Sequence, residues 1–252
     1  MIPIFVRSRA IHAALLAFAL LNAGCATGPN ANPKDPLEPM NRKIAVFNDA
    51  LDDNVLKPVA TGYRDYTPDF LQTGVSNFFR NLSDVLSTLN NALQLKGHDT
   101  AESFMRVTVN TVFGIYGIFD VATPIGLERH PEDFGQTLGY WGVPDGPYLV
   151  LPVLGPSTVR DSAVLPLEFS LDPVSNHNVT DERNVAMITR IVDKRASLLK
   201  TTNMLSGASI DKYSFTRDGY LQFRRNQVHD GNPPDEEQLE DPSAELVAPS
   251  AK

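Results

Sequence analysis

The chain has 252 residues and a formal net charge of −8, from 22 lysines and arginines against 30 aspartates and glutamates. This length suffices for one domain with a hydrophobic core, or at most two. The charge balance offers no basic surface for nucleic acid or anionic headgroups, so we predict no nucleic-acid partner. A single cysteine excludes an internal disulfide bond, and the fold must therefore depend on packing alone.

Residues 1–24 have the features of a secretory signal peptide. Two arginines precede an apolar stretch, Ala10–Ala23, which is too short to span a bilayer. The string LNAGC at 21–25 resembles the lipobox of bacterial lipoproteins, although Asn22 replaces the usual leucine. We predict that Cys25 carries lipid and becomes the mature N-terminus. The alternative is an ordinary cleaved signal that leaves an unmodified thiol.

Two polar segments flank the predicted domain, which covers residues 35–229. Residues 25–34 are small, polar and proline-bearing, as in a tether between lipid and domain. Residues 230–252 are acidic, contain several prolines and have no aromatic residue, which predicts a disordered tail. Ala26 follows the cysteine where lipoproteins held at the inner membrane often have aspartate, and this favours a location at the outer membrane.

Between these segments, apolar residues recur at helical spacing. The pattern predicts a first helix from Ile44 to Val59 with a break, and a long one over Asp69–Lys96 that ends at Gly97. Further helices are expected over Thr180–Ser206, before Gly207, and over Asp211–His229. Only Tyr148–Leu151 has the character of a short strand. We therefore predict a mainly α fold in a single domain.

The segment Phe104–Leu127 breaks this amphipathic pattern because only two of its residues, Arg106 and Asp120, are charged. A helix that is apolar all round is either buried or in lipid. The segment could form a central core helix. It could instead form a helix that lies in or dips into one leaflet, since its most apolar part, residues 107–119, is too short to span a membrane.

The next segment, residues 133–161, is rich in turn-forming residues. Its glycines and prolines should prevent a regular helix, while its aromatic and aliphatic residues require packing. We predict a specific loop system of the kind that often carries function.

Eleven short strings resemble the VacJ/MlaA lipoprotein family and together cover residues 35–228. They are Asp35–Arg42, Phe47-Asn48, Leu51-Asp52, Lys57–Ala60, Tyr63-Arg64, Ser76–Leu82, Asn110-Thr111, Gly117–Asp120, Glu132–Leu138, Gly146–Pro152 and Gly155–Asp161. Residues 163–167 depart from the pattern, where relatives often place a glycine and an aspartate. We make no residue assignments after Asp161.

The resemblance implies a fold and a function. It implies a ring of membrane-embedded apolar helices in the inner leaflet of the outer membrane, with an amphipathic channel through its middle. The implied function is the outer-membrane step of retrograde phospholipid transport. In it, phospholipids mislocalised to the outer leaflet pass to a soluble periplasmic carrier, and the protein associates with trimeric porins.

Candidate residues for lining or gating the lipid path come from the matching strings and from the turn-rich segment. No cofactor and no metal is predicted. The candidates are Asn41, Phe47, Asn48, Asp120, Asp133, Phe134, Gly139, Gly142 and Gly146.

Two other classes of function remain open. A phospholipid hydrolase would require an activated nucleophile, but the string at Gly155–Ser157 lacks the second glycine of a nucleophile elbow. The five histidines show no metal-binding spacing along the chain, and His130 beside Pro131 is most simply a loop residue. A purely structural envelope lipoprotein is harder to exclude, although it would not need so much apolar loop sequence. We predict that the protein is not an enzyme.

Overall fold

The computed structural model describes residues 32–205 and 211–234, where the chain is mainly helical and forms a single domain, as predicted. The predicted signal peptide, Cys25, Gly207 and the predicted tail from Asp235 lie outside the described residues. The elements are α1 (Glu38–Leu51), α2 (Lys57–Tyr66), α3 (Asp69–Leu93), α4 (Gly97–Val112), α5 (Phe134–Tyr140), β1 (Tyr148–Leu151), β2 (Gly155–Thr158), α6 (Val159–Leu171), α7 (Thr180–Leu205) and α8 (Lys212–Val228).

The break predicted in the first helix is a π-helical turn over Asp52–Leu56, which joins α1 to α2 without interrupting the winding. At its end, the Lys57 N–H donates to the Asp52 carbonyl, five residues earlier. Such a turn adds one residue to the helix and so rotates everything that follows. The Asp52 carboxylate also receives two hydrogen bonds from Arg195 of α7, at 2.6 and 2.7 Å.

The predicted stop at Gly97 is wrong, because α3 already ends at Leu93 and Gly97 is the first residue of α4. The chain reverses at Leu95, which has a φ of 61°. The Lys96 N–H donates to the Asn91 carbonyl, which closes the turn. A non-glycine residue therefore takes the left-handed position that glycine usually fills after a helix.

The expectation of an apolar helix through residues 107–119 is also wrong. Helix α4 ends at Val112, and residues 113–119 form a loop in which Ile115, Tyr116 and Gly117 all have positive φ. A Cβ atom at Gly117 would lie 2.5 Å from the Cβ of Asn81, so the close contact between this loop and α3 requires glycine. Within the described residues, no helix combines the length and the apolar character needed to cross a membrane.

The turn-rich segment contains more regular structure than predicted. Residues 134–140 form α5, which begins where the Asp133 carboxylate accepts from the Gln136 N–H at 2.8 Å. This cap compensates for the weak helix propensity of the glycines inside α5. The predicted strand β1 is confirmed and pairs antiparallel with β2, with Tyr148 opposite Thr158.

Two asparagines of α1, seven residues apart, hold this hairpin. The side chain of Asn41 donates to the Tyr148 carbonyl at 3.0 Å and accepts from the Val150 N–H at 2.9 Å. The side chain of Asn48 donates to the Leu151 carbonyl at 2.9 Å and accepts from an N–H in the turn at 2.8 Å. Each amide thus satisfies one acceptor and one donor of the hairpin backbone.

Residues of both predicted flanking segments are attached to the domain where they are described. The Lys34 carbonyl, at the end of the predicted tether, accepts from the Tyr148 N–H at 2.8 Å. Asp230, the first residue of the predicted tail, pairs with Lys96 at 2.6 Å.

A small apolar core joins α2 to α7. It contains Ala60, Ala196 and Leu199, with Tyr63 packed against them. The Tyr63 hydroxyl donates to buried Asp193 at 3.2 Å, so a polar contact lies directly beside the apolar one.

A polar interior and an apolar outer surface

Helix α3 has its polar residues inside and its apolar residues outside. Six polar side chains are buried, five within the helix and one directly after its end, and they lie at helical spacing: Asn81, Asp84, Ser87, Asn90, Asn91 and Gln94. On the opposite face, Val85 and Leu89 are 42% and 41% exposed. A water-soluble helix has the reverse arrangement, with its apolar stripe towards the core.

The same inversion extends over the described part of the chain. Buried polar and charged residues outnumber buried hydrophobic ones, and many large apolar side chains are exposed. Extended apolar surface in a folded protein indicates contact with a membrane, a ligand or another protein.

Five of the seven residues of the loop at 113–119 are large apolar residues with exposed side chains. Phe113 and Tyr116 are 71% and 73% exposed. Beside them, an apolar cavity of about 750 Å³ opens between α3, the loop and the start of α7. Its lining includes Phe70, Phe78 and Ile118, with Asp181 and Glu182 as acidic members. We call the loop 113–119 together with the lining of this cavity the apolar surface.

The buried polar residues form connected charge networks, and the first of these lies between α3 and α4. Asp84 accepts from Arg129 Nε at 2.7 Å and lies 3.8 Å from Arg106 Nε. Arg106 is buried and pairs with Asp120 at 3.3 Å. Burial raises the pKa of Asp84 and outweighs the two arginines, which lower it.

Asp120 is held by neutral donors as well. Thr123 donates to it from its hydroxyl at 2.5 Å and from its N–H at 3.1 Å, and Asn110 donates at 3.2 Å. Burial alone would raise the pKa of Asp120, but these hydrogen bonds and Arg106 lower it overall. Asp120 therefore closes the loop 113–123 onto α4.

A second network surrounds Glu132. Its carboxylate accepts from Gln94 at 2.8 Å, from Lys96 at 3.0 Å and from Gln136 at 2.8 Å. Burial raises the pKa of Glu132 against the effect of these donors. This network connects the end of α3 to α5.

A third network is built around Arg224 of α8. Arg224 binds both oxygens of Asp133, at 2.6 and 2.7 Å, and donates from Nε to Asp161 at 2.8 Å. Burial lowers the pKa of Arg224, but the two carboxylates raise it overall. The arrangement joins α5, α6 and α8 through one side chain.

The second and third networks border a polar cavity of about 420 Å³. Six charged side chains line it, from α6, α7 and the segment that leads into α5: Arg129, Glu132, Asp133, Glu168, Arg190 and Lys194. Basic and acidic groups on one wall suit a zwitterionic or phosphate-bearing headgroup, which presents both signs of charge or an anion. We call this region the polar cavity.

Glu168 should make the stability of the protein depend on pH. Burial raises its pKa to about 7, with Asp133 and Asp161 raising it and Arg224 and the Phe134 N–H lowering it. Between pH 4.5 and 7 the folded protein therefore retains a proton that the unfolded chain releases, and stability falls as pH rises through this window. Urea unfolding midpoints at pH 5 and pH 8 should differ less in Glu168→Gln than in the unaltered protein. The same pH difference in both would show that Glu168 does not carry a proton there.

The structure does not bring the candidate residues for the lipid path into one site. Asp133 and Phe134 line the polar cavity, while Asn41 and Asn48 hold the hairpin. Phe47 is exposed on α1. The remaining candidates occupy separate places: Asp120 in the first charge network, Gly139 against Arg160 and Val228, and Gly142 and Gly146 in turns with φ of 88° and 69°.

Most of the charged residues of the polar interior were missed in the sequence. Nothing in the sequence around Arg106, Arg190 or Arg224 identifies the carboxylates that they meet, and only the fold shows these pairs. The polar face of α3 could have been found, since its members recur every three or four residues.

The groups that a hydrolase would use are also apart. The hydroxyl of Ser157 pairs with Ser162 at 2.9 Å, and His130 pairs with Glu102 at 2.7 Å. No histidine of the described residues hydrogen-bonds to Ser157.

Comparisons with known proteins identify relatives over most of the chain. An uncharacterized protein of Rickettsia bellii is 37% identical over 196 residues, which are 77% of this chain and 76% of that protein. The intermembrane phospholipid transport system lipoprotein MlaA of Escherichia coli is 33% identical over 246 residues, which are 95% and 96% of the two chains. The protein of that name from Shigella flexneri has the same identity and coverage.

A solved structure also matches. This structure, solved as the structural basis for maintenance of bacterial outer membrane lipid asymmetry, aligns with the present chain with a TM-score of 0.68 at 34% sequence identity. The alignment covers 77% of this chain and 98% of that one. A model of the MlaA lipoprotein family matches residues 33–227, which contain all the described elements except the last residue of α8. The chain therefore belongs to the MlaA lipoprotein family.

Proposed function

We propose that this protein is the outer-membrane lipoprotein of a retrograde phospholipid transport system. It removes mislocalised phospholipids from the outer leaflet and passes them to a periplasmic carrier. The observation that carries the proposal is the inverted polarity of α3, which presents apolar residues outwards and encloses polar ones. Relatives named for intermembrane phospholipid transport support it.

The inverted polarity fits the handling of a phospholipid. Two acyl chains need an apolar environment, while the headgroup needs a polar and hydrated one. The apolar surface at 113–119 supplies the first, and the charged wall of the polar cavity supplies the second. We propose that the helices surround an amphipathic channel in which these two environments meet. No bond is broken, so no catalytic group is required.

The apolar surface would keep the domain in the inner leaflet, as a protein that is embedded in the membrane but does not cross it. Lipid on Cys25 would hold the chain there, since each buried methylene contributes about 0.8 kcal/mol. A trimeric porin beside the protein would give lipids of the outer leaflet a route inwards. The periplasmic carrier would receive them on the other side.

The proposal is tested in a strain that lacks the gene. Deletion should increase phospholipid in the outer leaflet, and the unaltered gene should restore asymmetry. Cys25→Ala should fail to restore it and should incorporate no radiolabelled palmitate. Normal asymmetry in the deletion strain would contradict the transport function, and palmitate on Cys25→Ala would contradict the lipidation site.

A biochemical assay separates transport from hydrolysis. The purified protein incubated with phospholipid vesicles should release neither fatty acid nor lysophospholipid. Release that disappears in Ser157→Ala or His130→Ala would instead establish a hydrolase.

A further inference from the structure

The structure brings together three metal-ligating side chains that the spacing along the sequence did not reveal. His98 and Glu102 lie one turn apart at the start of α4, and His130 comes from the segment before α5. One ligand atom from each of these three residues lies within 4.8 Å of the others. No metal site was expected because the histidines lack a metal-binding spacing along the chain. That spacing does not show that His130 lies beside Glu102 in the fold.

The contacts within the cluster are close to those of a metal site. His130 Nε2 lies 2.7 Å from Glu102 Oε2, and His98 Nδ1 lies 3.8 Å from the same oxygen. Ligands about 2.0–2.2 Å from a tetrahedral zinc ion are separated by about 3.3–3.5 Å. In a zinc site the His130–Glu102 separation would widen and the His98–Glu102 separation would narrow, each by less than about 1 Å.

Asp99 supplies the outer contact that histidine ligands usually have. Its carboxylate lies 3.8 Å from His130 Nδ1, on the side of the ring opposite the Nε2 that faces Glu102. A carboxylate in this position favours a proton on Nδ1 and leaves Nε2 free for the metal. The backbone of His130 is held as well, because Asn91 donates to its carbonyl at 3.0 Å.

From this geometry we infer that His98, Glu102 and His130 bind a divalent transition-metal ion, with Zn²⁺ as the ion that best suits two imidazoles and one carboxylate. Magnesium and calcium prefer oxygen ligands only and should not compete. A bound ion would connect the segment before α5 to the start of α4. It would thereby fix Glu132, two residues further on, against α3.

The experiment uses full-length mature protein in detergent, without a polyhistidine tag, titrated with zinc chloride by calorimetry and by thermal unfolding. We expect one saturable equivalent and a rise in the unfolding temperature that neither magnesium nor calcium produces. His98→Ala and Glu102→Gln should each weaken zinc binding at least tenfold. The His98 side chain is 79% exposed, so its removal should not affect folding.

His177→Ala is the matched control. His177 also pairs with a glutamate, Glu182, at 2.8 Å, but no third ligand lies beside it among residues 32–205 and 211–234, so this variant should bind zinc as the unaltered protein does. Absence of saturable binding would overturn the site. So would a zinc affinity in His98→Ala and Glu102→Gln equal to that of the unaltered protein, or a rise in unfolding temperature with magnesium equal to that with zinc.

Discussion

Replacement of Arg224 with methionine should lower the free energy of unfolding by about 3–5 kcal/mol. Methionine keeps much of the side-chain volume but leaves the carboxylates of Asp133 and Asp161 without their shared cation. Asp161 is buried and keeps Arg160 as a neighbouring cation at 3.0 Å, while Asp133, whose side chain is 38% exposed, is held in place as the cap of α5. Urea unfolding followed by circular dichroism in detergent would measure the loss.

Arg64→Met is the control for this experiment. Arg64 also forms an ion pair, with Asp65 at 2.9 Å, but its side chain is 43% exposed, and exposed pairs contribute about 0–1 kcal/mol. Similar losses in the two variants would mean that burial does not strengthen the Arg224 network. A loss below about 1 kcal/mol for Arg224→Met would contradict its structural role.

The double change Phe113→Arg and Tyr116→Arg should abolish transport while leaving the fold intact. Both side chains are mostly exposed, so arginine meets no buried neighbour there. If this loop lies in lipid, each arginine costs about 2.5–3.5 kcal/mol or more at the membrane centre. We expect outer-leaflet phospholipid at the level of the deletion strain, with normal helix content in the purified variant.

Two controls separate lipid contact from other effects. Phe113→Leu with Tyr116→Phe keeps the surface apolar and should preserve transport. Phe223→Arg places one arginine on α8, where an exposed phenylalanine lies outside the apolar surface, and should also preserve transport. Full transport in the double arginine variant at normal abundance would show that the loop does not enter the membrane.

The sequence predicted the last two helices well. The predictions for α7 and α8 agree with the described structure to within one residue at each described end, and β1 was located correctly. These elements have start signals, such as the Asp211 cap, that operate locally and are therefore visible in the sequence.

Where the prediction from the sequence was wrong, a contact with residues distant along the chain determines the local conformation. Position 139, within α5, requires glycine because a Cβ atom there would lie 2.7 Å from the Arg160 side chain and 2.8 Å from that of Val228. The loop after Val112 turns where the Asn110 side chain accepts the N–H groups of Val121 and Ala122. The local sequence pattern does not indicate such partners.

The candidate residues show the same limit. Short strings shared with a family point to residues that matter, but they do not distinguish holding the fold from handling a ligand. Asn41 is the clearest case, since its amide is fully used by Asp35 and the hairpin. A role for it in the lipid path stays a prediction.

The hydrogen bonds from Asn41 and Asn48 to the hairpin backbone also limit pairing of the hairpin with strands of other molecules. A two-stranded sheet has free edges, and an unpaired edge invites strands of other molecules to add to it. Here the outer edge of β1 is occupied by the Asn41 amide and by the Lys34 carbonyl, which take the place of a third strand. Helix α1 thus leaves the outer edge of β1 unavailable for pairing with a strand of another molecule, which lowers the risk of aggregation.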